Sequence, residues 1–198
     1  MERVVYKPLP MAPLRAGVVV QPLLSGPKPI RLDSPAIEAM TDLRQVPAAT
    51  IHGWATIAEA NRRMIARGVR LLFVVAVTGV VEGIITAHDI VGEKAINLLH
   101  DRGGRHESLT VADLLLPHRL IEVLDIEQVL RAEVGHIIAT LREANRQHAL
   151  VVDRDRLTRE DYVRGIFSAT QIGRQLGRSI ATFDVAHTFA EIEAELAR

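Results

Sequence analysis

Cysteine is absent from the 198 residues, which removes a disulfide framework, a thiolate nucleophile and every Cys-ligated metal or iron–sulfur centre. Aromatic residues are scarce, 4% of a chain that is 48% hydrophobic. The core must therefore come from Val, Ile, Leu and Ala, a mixture typical of α/β layers. Net charge is missing too: 24 Lys plus Arg balance 24 Asp plus Glu, without the basic excess of a nucleic-acid or anionic-membrane binder. The longest uncharged apolar run, Leu71 to Val81, is 11 residues and is closed by Glu82, against about 18 needed to span a bilayer. Glu2, Arg3, Lys7 and several prolines interrupt the N-terminal stretch, which argues against a secretory signal. A cytoplasmic protein of one or two compact units is expected, with neither nucleic acid nor membrane as partner.

Catalytic signatures are also lacking. There is no Gly-x-x-x-x-Gly-Lys loop, no Gly-x-Ser-x-Gly elbow and no Gly-x-Gly-x-x-Gly fingerprint, and none of the eight histidines has His-x-x-x-His or His-Glu-x-x-His spacing. Neither an enzyme nor a metal site is expected.

What the chain does have is internal symmetry. Ala36 to Thr41 lies over Val111 to Leu116 at an offset of 75 residues. Ile57, Ala60 and Met64 followed by Phe73-Val74-Val75 lie over Val134, Ile137 and Leu141 followed by Leu150-Val151-Val152 at an offset of 77. Gly83-Ile84-Ile85-Thr86-Ala87-His88-Asp89-Ile90 lies over Gly165-Ile166-Phe167-Ser168-Ala169-Thr170-Gln171-Ile172 at an offset of 82. The first copy reads as a short strand at 48–51, a helix over 55–66 ended by Gly68, a hairpin of strands 71–77 and 80–86 turning at Thr78-Gly79, and a helix from Ala87 to about Leu99. In the second copy the hairpin tip, Asp153 to Asp161, is enlarged and charged.

A helix, an apolar strand, a small turn and then Gly-hydrophobic-hydrophobic-Thr/Ser-x-x-Asp leading into a helix resembles the CBS domain, named after cystathionine β-synthase. Two in tandem resemble a Bateman module. The resemblance covers residues 34 to 180 and is strongest in Gly83 to Asp89. It implies an α/β (α+β) fold of two repeated β-α-β-β-α units packed sheet to sheet, with repeat 1 at 34–100, a linker at 101–108 and repeat 2 at 109–180. It further implies a disc-like homodimer, and a regulatory module without chemistry of its own that senses AMP, ADP, ATP or S-adenosylmethionine for an unknown partner protein.

Carried onto this sequence, the first ligand site comprises Thr50, Ile51, Leu71, Leu72, Thr86, His88 and Asp89, and a weaker second site His148, Ser168 and Gln171. Physically, a strand-to-helix turn at Thr86 offers backbone N–H groups and a hydroxyl to a phosphate. Asp89 can accept from both ribose hydroxyls, and Ile51 with Leu71 or Leu72 can sandwich an adenine. The same residues also read as a capping box, Thr86 to Asp89 and Ser168 to Gln171, in which the side chains do no more than close a helix. Gln171 lacks the charged two-oxygen grip of an acid, so at most one competent cleft, the first, is expected. Arg154, Arg156 and Arg159 on the hairpin tip could reach phosphates, although alternating charge there is more often solvated surface. If the sites are empty, the module is an interaction scaffold.

The ends bear on assembly. Residues 1–33 carry Pro8, Pro10, Pro13, Pro22, Pro27 and Pro29 and read as an extended arm along the module or a partner. Residues 181–198 place Val185, Phe189, Ile192 and Leu196 on one stripe, an amphipathic helix that packs on its own module or across a dimer.

Overall fold

In a computed structural model of the chain, residues 28–102 and 109–177 are described. The greater part of the arm (1–27), the end of the linker (103–108) and the C-terminal helix lie outside the described residues. Helix α1 (Ile57–Arg67) starts where the Thr56 hydroxyl accepts from the Glu59 N–H, and ends at Gly68 in the left-handed region with φ 63°. Its apolar stripe of Ile57, Ala60 and Met64 is buried. Strand β3 (Leu71–Val75) turns back into β4 (Val81–Thr86), and β2 (Thr50–Ile51) lies parallel to β3. The helix expected from Ala87 to Leu99 is two, α2 (Ala87–Val91) and α3 (Glu93–Arg102), because Gly92 is extended between them at ψ 174°.

The second half repeats the plan. Helix α5 (Ile126–Arg131) precedes α6 (Val134–Glu143), which buries Val134, Ile137, Ile138 and Leu141. Beyond it Asn145 adopts φ 50° at the place equivalent to Gly68, a left-handed position that Asn tolerates. Strand β6 (Val123–Asp125) runs parallel to β7 (His148–Arg154), which pairs antiparallel with β8 (Asp161–Ser168); α7 (Ala169–Leu176) follows.

The two halves exchange their leading segments. Strand β1 (Thr41–Asp42) joins the second sheet, whose order is β1-β8-β7-β6, and β5 (Leu116–Pro117) joins the first, ordered β2-β3-β4-β5. The 3-10 turn Ala36–Ala39 buries Ala36 and Ala39 with Val134, Ile137 and Phe167. Helix α4 (Val111–Leu114) and Leu109 are buried with Ile57, Leu72 and Ile90. Backbone bonds repeat the exchange: Val111 N–H donates to Ala55 and Ile57 N–H to Leu109, as Ala36 N–H donates to Ala132 and Val134 N–H to Ser34. The end of the arm follows the second half, with Ile30 buried and its N–H on the Gln175 carbonyl at 3.2 Å.

Period-2 alternation then decides what faces what. Leu72, Val74 and Ile85 point to the helices. Leu71, Phe73 and Ile84 meet Leu150, flanked by Val163 and Ile166, in a cluster between the two sheets. The fold is thus a mixed α/β pair of four-stranded sheets packed face to face.

Candidate functional site

Two clefts open at the rim of the sheet-to-sheet contact, and each draws on both repeats. The first, of about 190 Å³, combines Thr86, His88 and Asp89 with Ile121, Glu122 and the α6–β7 turn Asn145 to His148. The second, of about 470 Å³, combines Ser168, Thr170, Gln171 and Arg174 with Leu43, Val46, Pro47, Ala49 and the α1–β3 turn Arg67 to Leu71, over a floor of Phe73 and Ile166.

The residues expected to form one site are therefore divided. Leu71 faces the second cleft with Ser168 and Gln171, and His148 lines both clefts. Ile51 and Leu72 line neither. They are 1% and 0% exposed, packed toward α1 on the opposite face of the sheet, because residues one apart on a strand point to opposite faces. Thr50 lines neither cleft as well; its carbonyl accepts from Arg63 at 2.9 Å. Sequence reasoning missed Arg67, Arg70 and Arg174. Their signal was positional, since Arg67 and Arg70 flank the Gly68 helix end and Arg174 lies one helical turn beyond Gln171.

At the first cleft the capping box is formed. The Asp89 Oδ2 accepts from both the Thr86 N–H and its hydroxyl at 2.7 Å, and the Asp89 N–H donates to the Thr86 Oγ1 at 3.3 Å. A carboxylate already occupies the start of α2, and α2 is only five residues long, so little of the helix dipole faces the cleft. The second copy differs: Ser168 makes no side-chain cap hydrogen bond to α7.

Electrostatics separates the clefts further. The first is lined by Arg70 and Arg146 against Asp89 and Glu122, with Arg146 3.6 Å from Glu122. The second is lined by Arg67, Arg70 and Arg174, and among the described residues no Asp or Glu lines it. Between them, burial and the neighbouring Arg70 charge push the His148 pKa down to about 4, against a smaller upward pull from Asp89, so its imidazole is neutral at pH 7. The hairpin arginines reach neither cleft. Arg154 is paired with Asp161 at 2.6 Å, while the Asp155 carboxylate accepts from the N–H groups of Leu157 and Thr158 within the tip itself.

Among the described residues no three of His, Asp and Glu are grouped so as to hold a metal ion, and no described helix is long and apolar enough to cross a membrane.

Residues 40–96 match the family model of the CBS domain. No curated protein matches the chain. Among solved structures, the chain is similar to an uncharacterized conserved protein from Pyrococcus horikoshii at 19% identity and TM-score 0.52, covering 72% of this chain and 92% of that one. It is similar to the CBS-domain containing protein ATU1752 from Agrobacterium tumefaciens at 16% identity and TM-score 0.50, covering 67% and 88%. The CBS domain pair of protein MJ0100, solved in complex with 5′-methylthioadenosine and S-adenosyl-L-methionine, aligns at 20% identity and TM-score 0.47, covering 71% and 98%. The family match thus lies within the first repeat, and the second repeat folds the same plan again, so the chain has the fold of a tandem pair.

Proposed function

We propose that the protein is a regulatory module that binds an adenine-containing ligand (AMP, ADP, ATP or S-adenosylmethionine) between its sheets and conveys occupancy to a partner protein, with no chemistry of its own. The observation that carries this reading is the second cleft. Its volume of about 470 Å³ falls within the roughly 300–1,000 Å³ of small-molecule sites, whereas the first cleft is below it. Leu71, Phe73 and Ile166 offer an apolar floor for a base, and Ser168, Thr170 and Gln171 offer hydroxyl and amide groups at one end. The copy without the acid is therefore the better site, the reverse of the sequence expectation, and Thr86, His88 and Asp89 form the lesser one. Because both repeats wall the cleft, a ligand that fits one arrangement of the sheets better shifts the population toward it. The module works in the cytoplasm as a homodimer.

A second reading, an interaction scaffold, is favoured by the closed Thr86–Asp89 cap, which spends the ribose-binding acid on a helix end. Thermal unfolding against AMP, ADP, ATP and S-adenosylmethionine separates the two. Ligand at about 100 times its Kd raises the unfolding free energy by about 2.7 kcal/mol, several degrees in midpoint for a chain of this size. A midpoint unmoved by all four leaves the scaffold.

A further inference from the structure

The two clefts share a wall. Arg70, at the end of the α1–β3 turn, and His148, the first residue of β7, line both of them. The backbone fixes where these side chains begin: the Arg70 carbonyl accepts from the Ala87 N–H at 2.9 Å, and His148 is in register with Ser168. His148 stands in the second repeat where Leu71 stands in the first, and Arg70 stands where the second repeat has Gln147. The shared cation is thus a departure from the internal symmetry. One arginine serves two sites.

Resting on the ligand-binding reading above, we propose that the second cleft selects its ligand by negative charge, preferring a triphosphate chain, and that occupancy there withdraws Arg70 from the first cleft so that the chain holds one such anion at a time. The charges lining each cleft argue both halves. With Arg67, Arg70 and Arg174 and, among the described residues, no carboxylate, the second cleft places up to three guanidinium forks around an anion in a partly apolar surround, where charge-assisted hydrogen bonds are strong. The sulfonium and ammonium of S-adenosylmethionine meet the same three positive charges unfavourably. In the first cleft Arg70 and Arg146 balance Asp89 and Glu122. Once Arg70 turns to a phosphate next door, Arg146 remains beside Glu122, two carboxylates face one arginine, and a second anion is repelled.

The test is titration calorimetry of the full chain with ATP, AMP and S-adenosylmethionine, followed by competition with inorganic tripolyphosphate. One ATP per chain is expected, bound more tightly than AMP, with S-adenosylmethionine weakest and tripolyphosphate displacing ATP. Arg174→Gln, which alters a residue of the second cleft alone, weakens ATP by about tenfold or more. Arg62→Gln, at an exposed position on α1, does not. Two equal ATP sites per chain, or unchanged ATP affinity in both Arg67→Gln and Arg174→Gln, overturn the proposal while the nucleotide reading stands. Failure of tripolyphosphate to compete overturns charge selection in the same way. No heat and no shift in melting with any probe overturn the nucleotide reading and this proposal together.

Discussion

Gly83 on β4 lies directly against the Leu116 backbone of β5: a Cβ built on Gly83 would overlap the Leu116 carbonyl oxygen and come within 2.6 Å of a Leu115 methyl. Its equivalent in the second copy, Gly165, faces a side chain instead, and a Cβ there would press on the sulfur and neighbouring carbons of Met40. The glycine that opens each Gly-hydrophobic-hydrophobic-Thr/Ser motif is therefore the place where the exchanged segment of the other repeat crosses the sheet.

That difference in neighbour predicts unequal costs. A backbone cannot yield without unpairing β5 from β4, whereas a methionine has three rotatable bonds to move. Gly83→Ala should destabilise by about 2–3 kcal/mol and Gly165→Ala by about 1 kcal/mol, within the usual range for overpacking. Urea unfolding of the two variants measures both; equal losses would contradict the account.

The repeat, the hairpins and α1 were legible because they are written in local periodicity and in a motif that occurs twice, whereas the sheet-to-sheet packing was implied only by the resemblance to the CBS domain. The exchange of leading segments was not legible. Ala36 to Thr41 and Val111 to Leu116 each read as the start of the repeat they precede, and only long-range pairing, of β1 with β8 and of β5 with β4, takes each to the other sheet. The site was mixed for the same reason. Thr86, His88 and Asp89 do line one cleft together, but a cleft assembled across repeats put Leu71 with Ser168 and Gln171, and the face on which a strand residue points turned Ile51 and Leu72 inward. The division of a predicted helix at Gly92 turned on a single residue within an otherwise helical pattern.

The closed cap at Asp89 has a stability consequence. Replacing it by Ala leaves the Thr86 N–H and hydroxyl without their shared acceptor at the start of α2, a loss of about 1 kcal/mol. With the second cleft proposed as the principal ligand site, Asp89→Ala should lower the unfolding midpoint yet retain most of any increment from ATP. Differential scanning with and without ATP checks this; an abolished increment would return the main site to the first cleft.

Asp42 and Arg164 tie β1 to β8, close enough to form a hydrogen-bonded ion pair, with side chains only 18% and 12% exposed. Partial burial pushes the Asp42 carboxyl up, but the Arg164 hydrogen bond, the Arg44 N–H and the charges of both arginines outweigh it and hold the pKa below its ordinary value. A carboxyl depressed by folding stabilises above its unfolded pKa of about 3.9, and that stability is lost as pH falls through the lower, folded value. Asp42→Asn should thus cost on the order of 2 kcal/mol at pH 7, with the partly buried Arg164 left only its longer, 3.8 Å contact to Asp153. The deficit relative to the parent should shrink below about pH 4, which acid unfolding monitored by circular dichroism would show.

His148 adds a dependence of the same sign nearer neutrality. Burial first, and the Arg70 charge second, depress its pKa to about 4, against about 6.5 when unfolded. Between those values the unfolded chain binds the proton and the folded chain does not, so stability is complete above about pH 6.5 and drains away as pH falls toward 4. The full loss is on the order of 3 kcal/mol. His148→Gln should flatten unfolding free energy against pH across that window. Arg70→Gln removes one of the two depressing influences while Asp89 still pulls upward, so the His148 imidazole should titrate at higher pH in that variant. NMR titration of its ring Cε1 proton reads the shift directly. ATP in the second cleft, by engaging the Arg70 charge, should move the same resonance in the same direction, whereas an unmoved resonance would place Arg70 outside the ligand's reach.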